Sequence, residues 1–204
     1  KIKWRFLASS PVMTNPVVAD GVVYFGDWNG TFYAIDVNGG KRIWEKNLQL
    51  TKDGFTYSSP VILKDRVITS TQAGILLAFA RKGGSILWKR ELGKEVYSSM
   101  KYGDGKVLFG CKDFKFHAID PATGKDVWVH ETGNIIGSTC AITRGGKVVF
   151  LGHDKIIYVL DIKTGKALKS YNLGYRSTGT PALAFGCIYM CTTGRRFTCF
   201  DLLS

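Results

Sequence analysis

The sequence predicts an all-β fold, a β-propeller built from four-stranded blades. A short motif returns about every 40 residues, and a period of this length made of short strands is typical of propellers and arrays. Alternating apolar and polar residues between glycine turns predict the strands, and no stretch carries the 3.6-residue apolar stripe of a helix. The motif occupies residues 33–44, 77–88, 117–128 and 158–169, and a partial copy begins at residue 198.

Three landmarks of the motif keep a common spacing, so the period is real. They are an aspartate, a tryptophan and a proline, each replaced in some copies by another residue. The aspartate position holds Asp36, Ala80, Asp120, Asp161 and Asp201; the tryptophan position holds Trp4, Trp44, Trp88, Trp128 and Lys169; the proline position holds Pro16, Pro60, Met100, Cys140 and Pro181.

The second repeat illustrates the four strands of one blade. Strands are predicted over residues 59–63, 66–70, 75–79 and 85–89. The first turn falls at Lys64-Asp65, the second at Gly74 and the third at Gly83-Gly84. Glycine suits the second and third turns because it reaches positive φ without a Cβ clash.

The two ends of the chain predict how the ring closes. Residues 201–204 followed by residues 1–4 give a spacing of seven from aspartate to tryptophan, which nearly matches the eight of the other repeats. The N-terminal strand is therefore expected to complete the last blade and to give five blades with no exposed seam. The predicted single domain is residues 1–204, with repeats at about 5–44, 45–88, 89–128, 129–169 and 170–204 plus 1–4. The alternative is that the chain is a slice of a larger ring.

The motif Ala-Ile-Asp-x-x-x-Gly-Lys-x-x-Trp, read at residues 34–44 and 118–128, resembles the blade repeat of the PQQ-like propellers. That superfamily includes quinoprotein alcohol dehydrogenases, the assembly lipoprotein BamB and luminal sensor domains of unfolded-protein-response kinases. In the motif, the aspartate can accept N–H groups of the turn, and the tryptophan can pack against the neighbouring blade. These roles are structural and carry no chemistry.

The resemblance also provides a test of catalysis. Quinoprotein dehydrogenases use an eight-bladed ring, a calcium or lanthanide ion and an aspartate base, and hard cations need several oxygen ligands. This chain has 16 acidic residues, and its recurring aspartates belong to the structural motif. There is no adjacent cysteine pair and no nucleophile-and-base set, so no catalytic residue and no cofactor is predicted. Binding of PQQ is the alternative.

The composition of the chain limits which other classes of protein it can belong to. The chain has 204 residues, of which 45% are hydrophobic, and no apolar run reaches the roughly 20 residues of a membrane span. Its five cysteines are odd in number, and Cys187 and Cys191 lie about 13 Å apart on one strand, too far for a disulfide. Reduced thiols favour a cytoplasmic or otherwise intracellular protein, and a monomer is favoured. The alternative is a periplasmic or extracellular protein whose leader has been removed. No metal site is predicted, and His117, at the tyrosine position of the motif, is interpreted as a packing residue.

The net charge of +12 leaves nucleic acid or another polyanion as a possible partner. The basic residues are spread through the repeat, and lysines on outer strands discourage edge-to-edge pairing. The chain has no recognised nucleic-acid module. A solvated basic rim is the preferred interpretation.

The first strand of each blade is expected to line a central channel with small hydroxyls. These are Ser58, Ser59, Ser98, Ser99, Ser138, Thr139 and Thr180. The loops before them are expected to form a ligand site at the channel mouth, with Tyr57, Tyr97, Lys94, Arg176 and Lys52. This rim would suit an acidic peptide or a quinone with three carboxylates.

Taken together, these patterns predict a non-catalytic propeller that serves as a scaffold for a protein or peptide partner. One alternative is a domain that binds a quinone or small anion, related to the quinoprotein dehydrogenases. Another is a basic propeller that binds nucleic acid or another polyanion.

Overall fold

A computed structural model describes residues 1–49, 54–55, 58–177 and 179–201. These residues form nineteen β-strands in five antiparallel sheets, which confirms the all-β prediction. The chain divides into two compact units, residues 1–96 with 121–124 and residues 97–120 with 125–204. The described residues hold no helix with the length and hydrophobicity that a membrane span requires.

The first unit contains two four-stranded sheets, each ordered as in the sequence. The first sheet consists of β1 (Val17–Ala19), β2 (Val22–Gly26), β3 (Thr31–Asp36) and β4 (Arg42–Asn47). The second consists of β5 (Val61–Ile62), β6 (Arg66–Ser70), β7 (Ile75–Ala80) and β8 (Ile86–Glu91). The strands of the second sheet fall where the sequence predicts them.

The second unit contains the other three sheets. The third sheet consists of β9 (Lys101–Gly103), β10 (Lys106–Gly110), β11 (Lys115–Ile119) and β12 (Asp126–Glu131). The fourth consists of β13 (Ala141–Ile142), β14 (Lys147–Leu151), β15 (Ile156–Asp161) and β16 (Ala167–Asn172). The fifth consists of β17 (Ala182–Ala184), β18 (Cys187–Cys191) and β19 (Phe197–Asp201).

Aromatic side chains of the two middle strands form the core between successive sheets. In the first unit Phe32 stacks on Phe79, with ring centroids 5.2 Å apart. In the second unit Phe116 stacks on Phe150 at 4.1 Å. Because the middle strands are buried on both faces, they read as nearly continuous apolar runs, whereas the fourth strands are largely exposed.

The motif tryptophan ties one sheet to the turn of the next. Nε1 of Trp44 donates to the carbonyl of Arg81 (2.8 Å), and Nε1 of Trp128 donates to the carbonyl of Ile162 (3.0 Å). The indole of Trp128 lies against Gly165, where a Cβ would come within 2.5 Å of the ring. The predicted packing of the tryptophan on the neighbouring blade is confirmed.

The motif aspartate accepts the turn amides, as the sequence predicts. Oδ2 of Asp36 accepts from the N–H of Gly39 at 2.6 Å. Oδ1 of Asp161 accepts from the N–H groups of Lys163 and Thr164 at 3.1 and 2.8 Å. The aspartate therefore holds the turn between the last two strands of its sheet.

The predicted fourth strand of the last blade is not found among the described residues. The fifth sheet has three strands, and residues 1–8 lie in no strand. Trp4 nevertheless makes the motif contact with the first sheet, since its Nε1 donates to the carbonyl of Val37 (2.9 Å) and its indole covers Gly40. The spacing thus predicts the role of Trp4 correctly, but the indole contact does not require the backbone around it to pair as a strand.

Candidate functional site

The first hydroxyl of three predicted channel pairs is buried, and in two of these pairs it bonds to the backbone of its own sheet. Oγ of Ser98 accepts from the N–H of Gly110 (2.8 Å) and donates to its carbonyl (3.0 Å). Ser138 does the same with Leu151, at 2.9 and 2.8 Å. Ser58 is buried too. The hydroxyls of Ser98 and Ser138 fasten the segment before the first strand to the end of the second strand.

The second hydroxyl of each pair is less enclosed. The N–H of Ser99 donates to Oγ1 of Thr139 at 3.0 Å, so these two predicted residues meet. Ser59 is half-buried and Thr180 is exposed. In the last repeat Ser177 is buried, and its Oγ accepts from the N–H of Gly179 (3.1 Å).

The predicted rim residues are only partly described. Tyr57 and Lys52 lie outside the described residues. Lys94 is exposed in the first unit, and its backbone covers Gly74. Tyr97 and Arg176 belong to the second unit, and both are exposed.

A cavity of about 310 Å³ opens beside Tyr97 in the second unit. The loop from β12 to β13 forms one wall and is held by two backbone bonds. The N–H of Ile136 donates to the carbonyl of Cys111 (3.1 Å), and the N–H of His153 donates to the carbonyl of Ile135 (2.9 Å). The cavity is lined by Tyr97, Lys112, Ile135, Ile136, Gly137 and His153.

Polar groups of the cavity stand beside apolar walls. The ammonium of Lys112 lies 4.2 Å from the ring centroid of Tyr97, within the range of a cation–π interaction. Nε2 of His153 is buried and has no hydrogen-bond partner among the described residues. Burial and the positive charge of Arg176 lower the pKa of His153. A neutral imidazole can donate or accept one hydrogen bond at this nitrogen, depending on its tautomer.

A second polar cluster surrounds His117, which is not a simple packing residue. Nε2 of His117 lies 3.0 Å from Oδ2 of Asp113, and Nδ1 lies 3.0 Å from Oδ1 of Asp126. Burial on its own would lower the pKa of His117, but the hydrogen bonds to both aspartates outweigh it and raise the pKa to about 10. The thiol of Cys111 lies within 4.8 Å of a ring nitrogen of His117 and of a carboxylate oxygen of Asp113.

The family of the chain follows from comparison with known proteins. The family model described as "Outer membrane protein assembly factor BamB" matches residues 1–94 and 29–204. The chain belongs to the BamB family. The two overlapping matches agree with the internal repeat, and the predicted PQQ-like resemblance is confirmed.

Individual relatives of this chain agree with its assignment to the BamB family. BamB of Legionella pneumophila is 24% identical over 186 residues, which cover 88% of this chain and 48% of that protein. The "1-butanol dehydrogenase (quinone)" of Thauera butanivorans is 28% identical over 134 residues, covering 55% of this chain and 22% of that protein. The chain thus spans about half or less of the length of these relatives.

Solved structures confirm the propeller fold. BamB from Moraxella catarrhalis superposes with a TM-score of 0.86 at 19% identity, over 99% of this chain and 65% of that one. Quinohemoprotein alcohol dehydrogenase from Comamonas testosteroni gives 0.77 at 18% identity, over 94% of this chain and 41% of that one. At these identities the similarity concerns the fold alone.

The prediction of a cytoplasmic or otherwise intracellular location is wrong. The BamB family and the BamB relatives from Legionella pneumophila and Salmonella typhimurium are named for outer membrane protein assembly. The outer membrane lies beyond the cytoplasm, so these relationships point away from it.

Sequence reasoning missed Lys112 and missed the buried nitrogen of His153. Both occupy one repeat position, just after the second strand of the blade. In other repeats the backbone N–H at this position donates to a carbonyl of the loop that precedes the blade. Gln72 donates in this way to Gly54, and Thr193 to Arg176. The side chain at this position differs in every BamB-type repeat of the chain, and that variability was the available signal.

Proposed function

We propose that this chain is a non-catalytic scaffold that anchors an extended segment of a partner protein in the cavity beside Tyr97. The observation that carries the proposal is the cavity itself. It combines the apolar surfaces of Ile135 and Ile136 with an aromatic ring and one unpaired buried nitrogen, on His153. Recognition sites for peptides have this character, since apolar walls give affinity and a few polar groups fix orientation.

The names of the relatives indicate the class of partner. Several are outer membrane protein assembly factors, so we propose that the segment belongs to another protein of outer membrane assembly. Lys112 and Arg176 add positive charge near the cavity, which would favour a segment that carries an acidic residue.

The proposal can be tested with synthetic peptides that scan the outer membrane assembly proteins of the same organism. Fluorescence anisotropy would measure their affinity for the unmodified chain and for Tyr97→Ala. We expect the substitution to weaken the best peptide at least about tenfold, because aromatic anchors often dominate such sites. Tyr102→Ala is the matched control, since Tyr102 is an exposed tyrosine of the same unit and lies on β9.

Equal affinities of Tyr97→Ala and Tyr102→Ala for every binding peptide would overturn the proposed site. A failure of all the peptides to bind the unmodified chain would overturn the proposed function itself. His153→Ala provides a second variant, and we expect it to weaken the same peptides that Tyr97→Ala weakens.

A quinone or small anion is the second candidate ligand for this cavity. It is favoured by the nearby cations and by the relative named as a quinone-dependent dehydrogenase. A hard metal ion beside the quinone does not fit, because such ions need several oxygen ligands. The cluster of possible metal ligands among the described residues is Cys111, Asp113 and His117, which offers a thiol and an imidazole beside one carboxylate. Titration with PQQ would decide: a saturable visible band that Lys112→Ala removes would replace the peptide proposal.

A further inference from the structure

We propose that Sγ of Cys111, Oδ2 of Asp113 and Nε2 of His117 form a binding site for a divalent metal ion of the zinc class. This site is separate from the cavity of the proposed function and does not depend on it. The ligand atoms of the three residues lie within 4.8 Å of one another. Closing them around one ion needs only small side-chain movements, since zinc binds sulfur at about 2.3 Å and nitrogen or oxygen at about 2.0 Å.

One β-hairpin supplies all three ligands. Cys111 directly follows β10, Asp113 lies in the turn, and His117 lies on β11. The N–H of Cys111 donates to the carbonyl of Lys115 (3.1 Å), and the N–H of Lys115 donates to Oδ1 of Asp113 (3.0 Å). The backbone of the turn is therefore fixed by its own hydrogen bonds, and the site is largely formed in advance.

Asp126 orients the histidine as a metal ligand requires. Its Oδ1 lies 3.0 Å from Nδ1 of His117, so once an ion replaces the proton on Nε2, the remaining ring proton stays on Nδ1. Nε2 is then directed to Cys111 and Asp113. Histidine ligands usually donate their other N–H to a carboxylate in this way, which fixes the tautomer and raises the basicity of the ligating nitrogen.

The ligand types select the ion. A thiolate, an imidazole and a carboxylate suit Zn²⁺ and similar borderline ions, whereas Ca²⁺ and Mg²⁺ need oxygen ligands. Binding would displace one proton from the thiol and one from Nε2. The side chain of His117 is 3% exposed and that of Asp113 is 21% exposed, so the ion would approach from the Asp113 side.

Comparison with other repeats indicates that the turn itself does not require this combination. In the first sheet the hydroxyl of Tyr33 donates to Asp27 (2.9 Å), and in the fourth the hydroxyl of Tyr158 donates to Asp154 (2.6 Å). A tyrosine–aspartate pair is thus sufficient to hold the turn. The third sheet replaces the tyrosine with His117 and adds the thiol of Cys111 and the carboxylate of Asp126.

Cobalt titration tests the site, because Co²⁺ bound to a thiolate gives a sulfur-to-metal charge-transfer band in the near ultraviolet. The background chain should carry Cys187→Ser, Cys191→Ser and Cys199→Ser, which removes the thiols that are not buried. We expect a saturable band that added Zn²⁺ abolishes. In this background Cys111→Ser should eliminate the band, while Cys140→Ser, the matched loss of a buried thiol, should retain it.

Absence of the band in the background chain would overturn the proposal, as would a band that survives Cys111→Ser. If circular dichroism finds Cys111→Ser unfolded, Asp126→Asn decides instead. We expect it to weaken cobalt binding about tenfold to a hundredfold without removing the band. An unchanged affinity in Asp126→Asn would contradict the assigned geometry.

Discussion

At the scale of single residues, Asp27 carries more hydrogen bonds than a surface turn needs. It is 1% exposed, and its carboxylate accepts from the hydroxyls of Ser9 (2.6 Å) and Tyr33 (2.9 Å) and from the N–H of Thr31 (2.8 Å). In Asp27→Asn the side-chain NH₂ group replaces one carboxylate oxygen, so a hydrogen-bond donor would face the donors that now bond to that oxygen. We expect the free energy of unfolding, measured with urea, to fall by about 2 kcal/mol.

The control for this prediction is Asp20→Asn. Asp20 pairs with Arg81 at 2.9 Å, but its side chain is 80% exposed, and exposed ion pairs contribute about 0–1 kcal/mol. If the two variants lose the same free energy, burial and bonding at Asp27 are not the cause of its effect.

Cys140 permits a prediction about reactivity. It is 1% exposed, and burial raises the pKa of its thiol from 9.0 to about 12. At a given pH below 9 its thiolate fraction is therefore lowered about a thousandfold. We expect mass spectrometry after brief alkylation to find Cys191, which is exposed, modified long before Cys140. Equal rates would mean that the fourth sheet opens readily.

The neighbours of His117 could not be predicted from spacing alone. The motif correctly places His117 on the third strand of its blade, in the position of Tyr33 and Tyr158. Its partners, however, come from the end of β10, from the turn and from β12. The pairing of β11 with β12 also shifts register between Ala118 and Ile119, and a sequence period does not reveal such a shift.

At the scale of strands and turns, prediction succeeds where local chemistry decides. The order β5 to β8 follows from alternation and from glycine turns, which are short-range signals. The predicted N-terminal strand depends instead on a long-range contact between the chain ends, which short-range signals do not determine. Trp4 keeps its indole contact with Gly40 even though residues 1–8 form no strand.

The turn between β7 and β8 tests the contact between tryptophan and glycine. Gly83 and Gly84 both have positive φ, +84° and +69°. A Cβ at Gly84 would lie 2.5 Å from Cε3 of Trp44, whereas a Cβ at Gly83 would meet nothing within 4 Å. We expect Gly83→Ala to lower the free energy of unfolding by about 1 kcal/mol through backbone strain alone. Gly84→Ala should cost about 1–3 kcal/mol more, because the indole must move.

These two adjacent substitutions share a turn and a backbone region, so their difference isolates the indole contact. Denaturant unfolding would measure both, and the quantum yield of tryptophan fluorescence should change in Gly84→Ala only. Equal losses of stability in the two variants would mean that the indole of Trp44 moves aside without lowering the free energy of unfolding.

At the scale of the whole molecule, the repeat predicts the fold but the composition does not predict the compartment. The thiols of Cys187 and Cys191 lie on one strand and cannot bridge to each other in any compartment. The absence of a bridge between these two thiols therefore carries no information about redox conditions. The five sheets, in contrast, follow from the period, since each repeat must bury its apolar faces against its neighbours.

The net charge of +12 is also a property of the whole chain, and it yields the last prediction. A site for a polyanion releases counterions on binding, so its affinity falls by about 10³–10⁵ between roughly 50 and 200 mM salt. The cavity beside Tyr97 has mainly apolar walls, which salt does not weaken. We therefore expect the affinity of the best peptide to change by less than about tenfold over that range, as measured by fluorescence anisotropy. Duplex DNA serves as the reference, and any binding it shows should disappear at the higher salt. A peptide affinity that fell as steeply as that of DNA would mean that the dispersed lysines, and not the cavity, hold the partner.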